Sequence, residues 1–329
     1  MISKEYATNL ESLTNDFGTA WYQLMSRDIG PRTRCLGEEL PIEIQPWEKH
    51  MAFGPLSTPK PDYIPIRIAI QNSIDETPSN IASFATLAIQ CASTFRSSDY
   101  QGGCNGAAIR FPPSIDWDTN NGAHASLVLL EPIKNGFPNV SWSDLIILAG
   151  QTAMEAAGGN PLPFCGGRVD VENGDKSVGL EPKIYNNNTY DSVMYDISNK
   201  GLSLAEGIAL FATPNLPLAN IITIDGVITT DNSISLSKRA SVANENNSYQ
   251  ISNALFVELN DTDPNSVLLM GDLGNIVNQF ANDNEYFLEQ YAKAYNYLMT
   301  ADLFAGPTKN ACQGVSDPTI KGQTGLRGR

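Results

Sequence analysis

Apolar residues recur at steps of three and four along much of the chain, and that spacing predicts helices. Over residues 10–27, Leu10, Leu13, Phe17, Trp21 and Leu24 form one stripe, so the segment reads as an amphipathic helix that Pro31 ends. Residues 36–65 then carry Pro41, Pro46, Pro55, Pro59, Pro61 and Pro65, and read as an extended surface connector. A second helix is expected over 81–93, with Ser79 or Asn80 as its N-cap. Gly102, Gly103 and Gly106 mark a turn, and no Lys-Ser/Thr follows as a phosphate-binding loop would require. Helical periodicity returns over 123–130 and over 142–157, where Ser141 is a natural cap and the Gly/Pro turn of 158–167 is the stop.

Residues 170–200 read as loop-rich, followed by short helices near 202–211 and 218–224. The Ser-, Asn- and Thr-rich stretch 225–249 reads as an irregular loop. A long late helix is expected over 284–299, with Tyr286, Phe287, Tyr291, Tyr295 and Leu298 on its core face. With no internal repeat and no long alternating pattern, the fold class is mostly α. Three parts follow: residues 1–65, an N-terminal helix and connector; 66–304, the helical domain; and 305–329, a polar tail. The tail carries Lys309, Lys321, Arg327 and Arg329; it reads as solvated, with docking on the acidic body as the alternative.

Composition narrows the function classes. The 329 residues suffice for one large or two modest domains, and 42% hydrophobic with 17% charged residues describes an ordinary globular chain. Since no apolar run approaches the roughly 18 residues needed to cross a bilayer, an integral membrane protein is not expected. Residues 1–9 are polar and lack a signal pattern, so the chain stays where it is made or has lost a targeting segment; a soluble, exported or organellar-lumen form remains open. A net charge of −15 opposes nucleic acid and anionic membrane surfaces.

Cys35, Cys91, Cys104, Cys165 and Cys312 lack CxxC spacing, which argues against zinc and a disulfide-dense scaffold but leaves room for one or two disulfides. Sequons at Asn139, Asn187, Asn246 and Asn260 fit a secretory route, although an Asn-rich chain produces several by chance. Asp170, Glu172, Asn173 and Asp175, and likewise Asp261, Asp263 and Asn265, do not follow an EF-hand and read as polar turns. No Gly-x-Ser-x-Gly elbow occurs.

Several segments, in order, carry a family resemblance. Trp21-Tyr-Gln-Leu-Met-Ser-Arg-Asp-Ile-Gly-Pro31 and Arg34-Cys-Leu-Gly37 resemble the end of the first half of bacterial-type catalase-peroxidases. Ala92-Ser-Thr-Phe-Arg-Ser-Ser-Asp99, Gly102-Gly-Cys-Asn-Gly106, Ile109-Arg110 and Asp116-Trp117 resemble that family's haem-free C-terminal domain. Ser141-Trp-Ser-Asp-Leu-Ile-Ile-Leu-Ala-Gly150 and Pro163-Phe-Cys-Gly-Gly-Arg168 are similar to a helix and turn of class I haem peroxidases. Ser252-Asn-Ala-Leu-Phe-Val-Glu-Leu259 and Tyr291-Ala-Lys-Ala-Tyr295 are similar to late helices of the same fold. The resemblance implies a haem-peroxidase-like helical fold over about residues 15–304.

In active members, an Arg, a Trp and a His stand over the haem, where the His moves a proton and the Arg stabilises departing charge. The resemblance places Thr86, Ile89 and Gln90 at those positions; none is cationic or basic, and an amide does not titrate near neutral pH. On the other face, Ile228 falls where the iron-binding His belongs, no Trp occurs beyond Trp142, and Asp272 is the one vestige. The two histidines, His50 and His124, lie outside both segments, and Cys91 is the only other soft ligand nearby, more readily a buried small hydrophobe than a haem thiolate.

The expectation is therefore a haem-free pseudo-peroxidase: no catalytic residue, cofactor or metal, and a role as a structural or interaction subunit with a protein partner, a homo-oligomer included. Two alternatives stay open. One is a divergent haem peroxidase, acting through His124 or Cys91, or the support subunit of a catalase-peroxidase in hydrogen peroxide detoxification. The other is a small molecule held in the vestigial cleft by Ile89, Gln90 and Ile228.

Overall fold

The computed structural model describes residues 2–26, 61–159, 161–162, 164–182, 189–213, 250–262 and 266–303. Eleven α-helices form among them: α1 (Ile2–Thr8), α2 (Leu10–Ser26), α3 (Tyr63–Glu76), α4 (Asn80–Ala92), α5 (Ala123–Gly136), α6 (Trp142–Ala156), α7 (Tyr190–Lys200), α8 (Leu204–Ala209), α9 (Ala254–Thr262), α10 (Gly271–Asn282) and α11 (Asn284–Thr300). The described residues hold no strand, only an isolated bridge between Gly106 and Asp170. The mostly-α expectation holds.

Two helices make the centre. Every residue of α4 but Ser83 is buried, and α6 is buried without a break from Ser143 to Met154. A helix apolar on all sides must be enclosed by others, and here α3, α5 and α11 flank the α4/α6 pair. The pair approaches closely because Gly150 has no side chain: a Cβ there would lie 2.3 Å from the Cβ of Ala88. Phe84, Leu87, Leu145 and Leu148 are fully enclosed around this contact. Burial of such side chains stabilises the fold by roughly 1.5–3 kcal/mol each. A second nucleus forms where α9, α10 and α11 meet through Phe256, Phe280 and Phe287, with ring centroids 5.1–5.5 Å apart.

Polar groups lock the ends of these helices. Arg168 is buried and pairs with Asp144 of α6 at 3.2 Å and with Asp302, just past α11, at 3.3 Å. It also donates to the carbonyls of Cys165 and Met299. Asp144 accepts from the Tyr63 hydroxyl at 2.6 Å and from the Gly167 and Arg168 amides. One cation thus ties α3, α6 and the end of α11 together. Burial alone would lower the Arg168 pKa; the Asp302 and Asp144 carboxylates outweigh it and raise it.

Several sequence expectations need correction. The connector does not reach Pro65: α3 begins at Tyr63 with Asp62 as its cap, and Pro65 sits in the first turn, where a missing N–H breaks no helical bond. Neither Ser79 nor Asn80 caps α4 through its side chain; the Asn80 amide reaches back to Ser73 on α3. The loop-rich stretch 170–200 ends in a helix, α7, which starts at a Thr189 capping box. The 123–130 segment continues to Gly136 through Pro132. Ser141 caps α6 as expected, accepting from the Asp144 amide at 3.0 Å. The 218–224 helix, the 225–249 loop, the connector over 36–60 and the 305–329 tail lie outside the described residues.

Candidate functional site

The three positions that the resemblance sets over a haem lie together on α4. Thr86, Ile89 and Gln90 are all buried, with Ile89 only 1% and Gln90 3% exposed. The Gln90 amide donates to the carbonyl of Thr119 at 3.0 Å and to that of Asn121 at 3.2 Å, so both its hydrogens are committed. The segment it grips is itself folded by Asn120, whose amide donates to the carbonyl and hydroxyl of Ser114. Gln90 thereby fixes the segment leading into α5 against α4. This is a positioning duty.

Cys91, the neighbouring residue, is not a thiolate. It forms a disulfide with Cys104 in the glycine turn, joining the end of α4 to a loop 13 residues on. The Cys91 haem-ligand reading is therefore overturned, as is the view of Cys91 as a free apolar residue. The turn itself requires glycine at Gly102, whose φ is +81° and where a Cβ would lie 2.1 Å from the Thr94 carbonyl oxygen. Cys165 is also disulfide-bonded.

The remaining candidates do not converge with α4. His124 is exposed at the second position of α5. Asp272 is exposed in the first turn of α10, where a carboxylate favours the helix dipole. Ile228 and His50 lie outside the described residues. Asp170 accepts from the Trp142 and Ser143 amides at the start of α6, and Asn173 accepts from the Asp175 amide. No group of three or more His, Cys, Asp and Glu side chains suited to a metal occurs among the described residues. A depression near the end of α6, lined by Met154, Leu162, Ile251, Leu288 and Tyr291 among others, includes none of Thr86, Ile89 or Gln90.

These residues do not fit the haem of an active peroxidase on the described face. Ile89 is enclosed, Gln90 is engaged with backbone carbonyls, and none of the three positions supplies a base or a cation. Sequence reasoning missed the Asp144–Arg168–Asp302 clamp, although Asp144 and Arg168 both lie inside the motifs quoted for the resemblance. Asp302 had no signal in the sequence, because its partner stands 134 positions away.

A central pair of enclosed helices, flanked by further helices and closed by the Arg168 clamp, defines a helical peroxidase scaffold. The chain belongs to the peroxidase family, whose model, described as Peroxidase, matches residues 66–312. It is similar to a catalase-peroxidase of Mycosarcoma maydis, 36% identical over 52% of this chain and 24% of that protein. A catalase-peroxidase of Pseudomonas entomophila is 33% identical over 64% of this chain and 29% of its own length. Catalase-peroxidase 1 of Pyricularia oryzae is 39% identical over 52% and 23% respectively. The chain thus spans less than a third of the length of these relatives. No described helix is long and apolar enough to cross a membrane.

Proposed function

We propose that this chain is a haem-free pseudo-peroxidase that serves as a structural or interaction subunit of a larger assembly. The observation that carries the reading is Gln90. At the position where an active member needs a titrating base, the side chain is a buried amide whose two hydrogens hold the Thr119 and Asn121 carbonyls. Burial removes it from solvent, and the amide has no proton to exchange near neutral pH. Thr86 and Ile89 add neither charge nor base.

An interaction role draws support from α2. Leu10, Phe17, Trp21 and Leu24 are 74%, 61%, 55% and 65% exposed along one stripe, and the Phe17 and Trp21 rings stack at 5.9 Å. A contiguous apolar stripe of this kind marks a surface made to be covered. The similarity to catalase-peroxidases favours, as the second reading, a support subunit for a haem-bearing peroxidase chain.

The test is absorption spectroscopy on protein purified from its source or expressed with ample haem, followed by a peroxide turnover assay. The expected spectrum has no Soret band and the expected turnover equals the buffer blank. A stoichiometric Soret band, or turnover lost on replacing His124, would sink the pseudoenzyme reading. Size-exclusion chromatography of the native complex then separates the two partner readings: a haem-bearing companion chain supports the second one.

A further inference from the structure

We propose that Asn139 carries an N-linked glycan. Asn139-Val140-Ser141 is an acceptor sequon, and such a triplet means something only where the chain meets the transferring enzyme and the side chain faces solvent. Two independent features of this structure meet those conditions.

The first is the redox state of the cysteines. All three described cysteines, Cys91, Cys104 and Cys165, are in disulfides. Disulfides persist in secretory and extracellular compartments and are rare in a reducing cytosol. The secretory lumen that oxidises thiols is also where N-glycans are added in eukaryotic cells.

The second is the shape of the α5–α6 turn. The Val140 amide donates to the Phe137 carbonyl at 3.1 Å, closing a four-residue turn with Pro138 and Asn139 at its two central positions. Proline at the first of these fixes the backbone and sets the direction of the second. The Lys134 ammonium donates to the carbonyls of both Pro138 and Val140, on either side of Asn139. Val140 is buried at 1% exposure while Asn139 is exposed. Val140 anchors the turn in the core, and Asn139, at the second central position, is left exposed. Ser141 supplies the sequon hydroxyl and serves afterwards as the α6 cap.

The contrast with Asn260 sharpens the assignment. That residue lies on α9, and its Nδ2, the atom that would carry the sugar, donates to the Asn278 side chain at 2.9 Å. Asn187 and Asn246 lie outside the described residues.

The reaction needs a lipid-pyrophosphate-linked oligosaccharide as donor. A bond forms between Asn139 Nδ2 and the anomeric carbon of the first sugar, the bond from that carbon to the phosphate oxygen breaks, and the lipid pyrophosphate leaves. The amide nitrogen gives up one proton.

The test is peptide mapping of the full-length protein from its native source. Trypsin cuts after Lys134 and Arg168, so one peptide, 135–168, isolates this sequon from the other three. Peptide N-glycosidase treatment in heavy-oxygen water is expected to convert Asn139 to labelled Asp. Asn139→Gln is expected to remove one glycan's mass from the intact protein, and Ser141→Thr, which keeps both the sequon and a capping hydroxyl, to retain it. A bare Asn139 in protein whose Cys91–Cys104 bond is intact overturns the proposal. Glycans confined to Asn187, Asn246 or Asn260 overturn it equally.

Discussion

Arg168 meets Asp302 inside the protein, 3.3 Å apart, with neither side chain more than 1% exposed. Asp144 holds the same guanidinium from the other side. Two carboxylates around one buried cation leave a net negative charge, which further hydrogen bonds from the Tyr63 hydroxyl and the Gly167, Arg168 and Asn105 amides help to satisfy. Removing the cation strands both carboxylates. Arg168→Ala is expected to destabilise the fold by about 3–5 kcal/mol, read as a fall in the urea midpoint by circular dichroism. A change within the error of the measurement would show that the clamp is not a determinant of stability.

The α4/α6 contact leads to a paired prediction. The Tyr295 hydroxyl is buried at this contact with no hydrogen-bond partner among the described residues, and a Cβ on Gly150 would lie 2.6 Å from it as well as 2.3 Å from Ala88. Gly150→Ala gains about 1 kcal/mol of helix propensity, yet it must push two enclosed neighbours aside. Overpacking of that kind costs about 1–3 kcal/mol, so the net effect is destabilising. Tyr295→Phe removes an unsatisfied hydroxyl from the same place and is expected to leave stability unchanged or raise it by about 1 kcal/mol. Thermal melts of both variants check the pair; a stabilised Gly150→Ala would mean that the helices are not packed this tightly.

The disulfide between Cys91 and Cys104 closes a short loop around the glycine turn. Its loss frees the unfolded chain and is expected to lower stability by about 3 kcal/mol. The Cys91→Ala/Cys104→Ala double variant should keep its helical circular dichroism signal and melt earlier. Gln90 sits one position from Cys91 and holds the Thr119 and Asn121 carbonyls, so hydrogen exchange at Thr119–Asn121 is expected to rise in the same variant. Unchanged exchange there would disconnect the bond from the α4 platform.

Much of this architecture was legible because helical periodicity survives wherever a face is buried. The predicted 142–157 and 284–299 segments correspond to α6 and α11, whose apolar residues recur at helical spacing. The losses have physical causes. α3 was hidden because Pro65 reads as a breaker unless its place in the first turn is known, and Asp62, its cap, is an unremarkable residue in sequence. α10 was missed because Gly271 and Gly274 weaken its propensity, although Leu273, Val277 and Phe280 give it a buried face. At the candidate site, the types at 86, 89 and 90 were readable, but the work of Gln90 was not: its partners are backbone carbonyls, which leave no trace in residue identity. The pairing of Cys91 with Cys104 is not legible in the sequence either, since spacing does not say which thiols meet.

Alkaline pH supplies the last test. Tyr291 and Tyr295 are enclosed in the core, and burial raises both hydroxyl pKa values above the ordinary tyrosine range, with the Thr213 hydrogen bond opposing the shift at Tyr291. Tyr63 is raised too, by burial and then by the Asp144 carboxylate, but it is partly exposed and counts for less. The native protein therefore keeps protons that the unfolded chain gives up above about pH 10. Because the folded state binds more protons there, stability is full below that pH and falls as pH rises through it. The slope is about 1.4 kcal/mol per pH unit for each buried tyrosine that stays protonated, so two of them lower stability by nearly 3 kcal/mol over one unit. Urea titrations between pH 9 and 11 read the slope directly. In Tyr291→Phe and Tyr295→Phe variants it should diminish stepwise, and an unchanged slope in both would assign alkaline unfolding to other groups.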